Sequence, residues 1–197
     1  MLRLALFLFL ALPALAHAAD APLDPAQTKI GFIGHATLHD FEGAARDITG
    51  NAQVDSANSN FVTGAKVTVA TATMTTFSDG RDKNMRDWLH IDAHPKIGFH
   101  LAKIVRTASG VISGPSTNAP RFDVMGEFTL DGSTKPLHAT ASGWIDGHTL
   151  IVDGTTKIDT TEYGLPIVKE FFLTVDKNVD VTFHLVFNLP AGTPIPH

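Results

Sequence analysis

The stretch 122-FDVMGEFTLDGSTKPLHATASGWI-145 decides the fold, because two alternating segments flank one compact polar turn, Asp131 to Pro136. Before the turn, Phe122, Val124, Phe128 and Leu130 share one parity with Gly126, while Arg121, Asp123 and Glu127 take the other. Side chains alternate across a strand, so this is a strand with one dry face. After the turn, Leu137, Ala139, Ala141, Gly143 and Ile145 alternate with His138, Thr140, Ser142 and Trp144. A second strand therefore returns with smaller residues on the corresponding face. A dry face must cover something, either a packed core or a cavity.

The same period recurs on both sides of this hairpin. Ile30 and Phe32 begin a segment running towards Leu38, Asp40 to Gly43 marks a bend or bulge, and a further segment reaches Val54. Asp55 to Asn60 reads as a loop, and Ala65 to Thr75 alternates with Val67 and Val69 on one side. From Lys96 onward Ile97, Phe99 and Leu101 face one way, and Gly110 to Pro120 reads as a long exposed loop. Beyond the turn at Asp146 to His148, Leu150, Val152, Gly154, Thr156 and Ile158 share a parity. The last strand, Val179 to Leu189, aligns Val179, Val181, Phe183, Leu185 and Phe187. Only Asp79 to Leu89 has helical spacing, with Asp79 as its cap and Met85, Trp88 and Leu89 along it. About eight strands, one short helix and no helix-strand rhythm predict an all-β chain, either an antiparallel barrel or a sandwich.

Residues 1–18 carry Arg3, an apolar run from Leu4 to Leu12 and small residues at Ala16 and Ala18. This pattern predicts a secretory signal peptide cleaved after Ala18, leaving residues 19–197 as a single exported domain. The chain has no cysteine, which excludes disulfides, thiolate metal sites and cysteine nucleophiles. The formal net charge of −5 argues against a nucleic-acid footprint.

Chemistry-bearing motifs are sparse. The His35/His39 pair has a four-residue spacing that on a strand separates the side chains by about 13 Å, too far to share one ion. His90 and His94 straddle the helix end and read as solvent-facing, so no metal site is assigned. The run Ser109 to Gly114 lacks the nucleophile-elbow pattern, and no phosphate-binding or dinucleotide fingerprint occurs. A non-enzymatic role follows, and the apolar stripes become the candidate site. Either large side chains fill the interior, or small inward residues, Gly126, Ala139, Ala141, Gly143 and Gly154, leave room for a thin apolar molecule.

The order of Phe32, a helix over Arg81 to Leu89, His94-Pro95-Lys96-Ile97-Gly98-Phe99, the run Gly126 to Pro136, and Thr156-Lys157-Ile158-Asp159 leading to Tyr163-Gly164 resembles the YceI-like family of exported bacterial proteins. The resemblance spans roughly Thr28 to Leu189. It implies an eight-stranded antiparallel lipocalin-like barrel with one short helix near an end, holding a polyisoprenoid lipid in its lumen. Thr160 stands where the family often shows Arg, and Tyr163 where it usually shows Phe. The His39 to Gly43 segment and the Phe171-Phe172 pair look like features of a subgroup.

The resulting expectation is a periplasmic, non-catalytic carrier of a polyisoprenoid such as a quinone or prenyl diphosphate, with no cofactor beyond that lipid. The tail is expected to lie against Ile30, Phe32, Val67, Val69, Ile97, Phe99, Phe122, Val124, Phe128, Leu130, Val152, Ile158, Val181 and Phe183. Arg81, Lys83 and Arg86 are the expected head-group contacts. Transient membrane or membrane-protein contact and homo-oligomerisation stay open. The alternatives are an interaction module for a membrane redox partner and an exported metal-binding protein.

Overall fold

A computed structural model describes residues 18–114, 116–170 and 172–196. The signal-peptide reading of residues 1–18 falls outside them except at Ala18, as does Phe171 of the Phe171-Phe172 pair. The described strands are β1 (Ala19–Pro22), β2 (Lys29–Ala36), β3 (Phe41–Ala45), β4 (Ile48–Val54), β5 (Val62–Ala70), β6 (Lys96–Ala108), β7 (Arg121–Leu130), β8 (Ser133–Asp146), β9 (Thr149–Asp159), β10 (Lys169–Glu170) and β11 (Leu173–Asn188). One α-helix, α1 (Asp79–Trp88), joins β5 to β6.

The β7–β8 hairpin forms as its alternation predicts, but its turn is shorter than Asp131 to Pro136. Asp131 and Gly132 alone make it, with φ of 47° and 73°. Two positive φ values define the tight turn whose twist matches the flanking strands, and Asp-Gly is a favoured pair there. Ser133 to Pro136 already belong to β8, opposite Leu130 to Glu127. The register pairs Phe122 with Ala141 and Val124 with Ala139, so large residues face small ones across one dry face.

All pairings are antiparallel, and the sheet order is β1-β4-β5-β6-β7-β8-β9-β11-β2-β3, with β10 added on β11. Eleven strands replace the eight expected, for two reasons. The segment from Asp40 to Val54 is split by Arg46 and Asp47 into β3 and β4, which pair with different neighbours, and two short strands are added, β1 at one sheet end and β10 on the start of β11. The bend expected at Asp40 to Gly43 is therefore displaced, since Phe41 to Gly43 lie within β3. The sheet curls until its ends approach other strands. Leu23, just past β1, bridges Phe187 of β11, and Ala44 of β3 bridges Thr75 after β5.

Helix α1 begins at Asp79 and ends at Trp88, one residue short of the predicted Leu89, with Ser78 rather than Asp79 at the cap position. Its carboxylate anchor is Asp82, which is buried and accepts hydrogen bonds from Thr75 Oγ1 at 2.7 Å and from Thr76 N and Oγ1 at 2.6 Å each. Burial opposes the charge on Asp82, but the Thr76 and Thr75 hydrogen bonds, with Arg86 nearby, hold its carboxyl below the usual range. The far end of α1 is tied to the hairpin turn. His90 Nδ1 lies 3.1 Å from both Asp131 oxygens, and His94 packs so closely on Gly132 that a Cβ there would come within 2.5 Å of its ring.

Candidate apolar binding cavity

The inward rows of β2, β5 to β9 and β11, together with Met85, Trp88 and Leu89 of α1, surround one cavity of about 280 Å³. Each of the fourteen residues expected to meet a lipid tail lines it, from Ile30 and Phe32 on β2 to Val181 and Phe183 on β11. The interior is thus not filled by its own side chains, and the choice between filled core and cavity goes to the cavity.

The solid core is divided into two plugs. One gathers Leu23, Ile48, Val54, Phe61, Ile112, Ile145, Leu150 and Phe187 with their neighbours. The other, smaller, gathers Leu89, Leu130, Ile158, Tyr163 and Leu165 beneath α1. Between them Phe32, Phe99, Val124, Phe128, Val181 and Phe183 point inward yet stay only half-buried. That is the signature of a wall facing unfilled space, because a packed core residue is normally closed off on all sides.

The glycines on the inward parity do not open this space in the way their size suggests. The Phe183 ring lies on Gly154, the Phe99 ring on Gly126 and the Phe32 ring on Gly43, and an added Cβ would meet these rings at 2.2, 2.4 and 2.1 Å. Gly154 and Gly43 are the direct cross-strand partners of Phe183 and Phe32. Each glycine is a seat for an aromatic ring, which shields the bare backbone and keeps the ring flat along the wall instead of across the lumen. Gly143 differs, since a Cβ there meets its first neighbour only at 3.8 Å.

The cavity lining is apolar in its chemistry as well as its composition. Among the described residues only Asn60, Thr156 and Thr160 add polar side chains, apart from the indole of Trp88. Each has its donor engaged by a backbone carbonyl. Thr156 Oγ1 donates to His138 at 2.6 Å, Thr160 Oγ1 to Lys177 at 2.9 Å, Asn60 Nδ2 to Ile104 at 3.3 Å and Trp88 Nε1 to Pro166 at 2.8 Å. Among the described side chains of the lining, only the second N–H of the Asn60 amide is left to meet a polar group inside.

Arg81, Lys83 and Arg86 do not line the cavity. Arg81 donates to the Thr76 carbonyl at 2.8 Å and stacks on the Phe41 ring at 4.9 Å from its centroid. Arg86 stands near the Asp82 carboxylate. Lys83 is exposed, roughly 160° around the helix from Met85 at 3.6 residues per turn. None of the three enters the lumen, which leaves the expected head-group contact as one at the rim, and two of the three cations serve the helix anchor. Thr160, where the family often shows Arg, is buried, and beside it Lys177 bonds Asp159 at 2.6 Å. That bond, with those from Thr161, holds the Asp159 carboxyl below its usual range.

The two histidine pairs behave differently. His35 is held by Asp40 and Asp180, whereas His39 is exposed. His90 and His94 converge on Asp131, with His94 Nε2 at 3.9 Å, and no group of three or more metal-ligating side chains occurs among the described residues.

Several lining residues were not singled out from the sequence. Met85, Trp88 and Leu89 carried a helical spacing whose apolar side pointed to something, and that signal was sufficient to find them. Ile104 had no such signal, because a bulge between Leu101 and Lys103 turns the alternation of β6 over. Ile112 lies in a stretch read as exposed loop, yet it is buried, lines the cavity and accepts from Ile145 N at 2.6 Å.

The chain belongs to the YceI-like family, whose domain matches residues 22–187. A UPF0312 protein of Azotobacter vinelandii is 29% identical over 146 residues, covering 70% of this chain and 68% of its own. A UPF0312 protein of Pseudomonas syringae is 29% identical over 164 residues, covering 79% and 77%. The crystal structure of BcnA from Burkholderia cenocepacia matches with a TM-score of 0.69 at 19% identity, over 83% of this chain and 98% of its own. A polyisoprenoid binding domain from Saccharophagus degradans, implicated in plant cell wall breakdown, matches with a TM-score of 0.66 at 16% identity, over 88% and 100%. At these identities the solved structures establish a shared fold.

Proposed function

We propose that this chain is a non-catalytic binding protein that carries a polyisoprenoid lipid, such as a quinone or prenyl diphosphate, and that it does so in the periplasm after loss of residues 1–18. The observation that carries the reading is the dry cavity between two plugs. An unfilled apolar space costs about 24 cal/mol per Å³, so a cavity of about 280 Å³ forgoes about 7 kcal/mol relative to a packed interior. That is comparable with the whole stability of an ordinary domain. Water offers no relief, since it needs two or more polar partners that the lining lacks. An apolar ligand supplies the missing contacts.

Two further observations support the lipid class. Taken as limbs of one bent strand, β3 and β4 leave eight strands around the lumen, in keeping with a lipocalin-like barrel. The Saccharophagus degradans domain of like fold is described as polyisoprenoid binding. Because the lining is almost wholly apolar, recognition rests on the tail, and any head group stays outside it.

The test is to express the full chain with its own leader in a Gram-negative host, purify it without detergent, and identify extracted lipid by mass spectrometry. About one isoprenoid lipid per chain is expected. Protein that carries none and takes up no solanesol overturns the proposal.

A further inference from the structure

We infer that the α1 end of the fold is a docking collar for the surface of a lipid bilayer, through which an apolar ligand passes without crossing water. The inference rests on the carrier reading above for its purpose and on separate residues for its geometry. Leu38, Phe77 and Phe172 are 73%, 67% and 90% exposed, and Ile167 and Val168 are exposed beside them. They belong to three different connections, yet the hydrogen-bond pattern gathers them at one end.

The β2–β3 turn carrying Leu38 is fastened to the start of β11, next to Phe172, by Thr37 N to the Thr174 carbonyl at 3.0 Å and Thr174 N to Thr37 Oγ1 at 3.1 Å. The strand start is fastened to Val168 by Val175 N at 3.0 Å, and Pro166 receives the indole N–H of Trp88. On the other side of α1, Arg81 stacks on Phe41, and Thr75, two residues before Phe77, bridges Ala44 of β3. The collar therefore surrounds the helix whose Met85, Trp88 and Leu89 line the cavity. It also lies at the smaller of the two plugs.

The form of the patch favours a lipid surface over a protein. The exposed side chains stand on separate loop connections and form no groove, whereas a bilayer interface accepts scattered aliphatic and aromatic residues at a common depth. Phe77 adds an independent sign, because its φ of 62° is a strained conformation for a bulky residue and its ring nevertheless stands exposed. Charges around the collar are mixed, with Arg81, Lys83, Arg86 and Lys169 against Asp40, Glu42, Asp79 and Asp87. Binding is accordingly expected on neutral membranes and to vary little with salt.

The experiment is flotation of the purified full chain with phosphatidylcholine vesicles, comparing wild type with the triple variant L38S/F77S/F172S. Wild type is expected to float, and the triple variant to lose at least tenfold in vesicle affinity at low and high salt alike. A second variant, V105S/V111S, removes exposed apolar residues outside the collar and is expected to float as wild type does. Solanesol delivered from cyclodextrin is expected to load the triple variant normally, which verifies its folded cavity. Equal flotation of wild type and triple variant, or no flotation of wild type, overturns the collar. Failure of every variant to take up solanesol, with collar-dependent flotation intact, overturns the carrier reading and leaves the collar standing.

Discussion

Tyr163 meets Phe128 edge to face, with ring centroids 5.6 Å apart and planes at 89°, and this contact joins the cavity wall to the plug beneath α1. Tyr163 follows β9 on a short helical turn, and its ring is almost fully buried among Leu89, Leu130, Ile158 and Leu165. Burial, followed by the charge of Glu162, pushes its phenol above the ordinary value, so it stays neutral at any physiological pH.

The plug is therefore held by the ring and not by the hydroxyl, which has no protein partner among the described residues. Tyr163→Ala is expected to destabilise by about 3–5 kcal/mol, the usual cost of deleting a buried aromatic. Tyr163→Phe, which restores the residue usual in the family, is expected to change stability by less than about 1 kcal/mol. Denaturant titrations measure both, and a large loss in the Phe variant would show that the hydroxyl carries the contact.

Two glycines on the inward parity predict opposite effects. At Gly43 a Cβ would come within 2.1 Å of the Phe32 ring, so Gly43→Ala must push that ring off the wall into the lumen. The expected result is a loss of about 1–3 kcal/mol, typical of overpacking, together with reduced lipid uptake. At Gly143 the nearest atoms stand at 3.8 Å, so Gly143→Leu extends into the empty cavity. Its thermal midpoint is expected to rise by about 2–4 °C for each kcal/mol of apolar burial gained, while lipid uptake falls. Thermal unfolding and solanesol loading separate the two; a Gly143→Leu variant that loads fully would mean that the tail lies elsewhere.

These glycines also show where reading the sequence stops. Alternation located fourteen residues of the wall, because a two-residue period states which side chains share a face. It could not tell that small inward positions are seats for rings, since that depends on which strand lies opposite, a long-range property absent from local spacing. Bulges set the second limit. In β5 the register against β4 slips between Val62 and Gly64, so Val62 and Ala65 both line the cavity although their parities differ, and in β6 a slip brings in Ile104. The Asp131-Gly132 turn was legible as a dipeptide, yet its docking under His90 and His94 required the helix to be placed first.

Asp82 offers a test of how α1 is held over the cavity. It accepts three hydrogen bonds from Thr75 and Thr76 while buried, so Asp82→Ala leaves those donors without partners. A loss of roughly 2–3 kcal/mol is expected, in the range for hydrogen bonds to a buried charged group. Because the folded carboxyl lies below its ordinary value of 3.8, its contribution is present above that pH and fades as pH falls through the lower folded value. Urea midpoints of wild type and variant should converge in acid. A constant gap down to the acid limit would place the effect in packing instead of charge.

Both ring nitrogens of His35 face carboxylates. Nε2 lies 2.9 Å from Asp180 Oδ2, and Nδ1 lies 3.0 Å from Asp40 Oδ2. A neutral imidazole has only one N–H, so only the imidazolium can donate to both. The hydrogen bond with Asp180, then that with Asp40, raises the His35 pKa above its ordinary 6.5. The hydrogen bond from His35, then that from Lys157, lowers Asp180, and Asp176 stands close enough to feel the same positive charge. For a raised folded pKa the stabilisation is complete below 6.5 and disappears as pH rises through the higher folded value. All three side chains are partly exposed, so solvent screens the pair and the effect is modest. Wild type is expected to exceed His35→Gln in thermal midpoint near pH 5.5 and to approach it near about pH 8.5, the range over which imidazole titrates. Since Asp40 closes the turn that carries Leu38, hydrogen exchange in that turn should quicken over the same range. Parallel midpoint curves for the two proteins would show that His35 is neutral in the fold and that the turn is held without it.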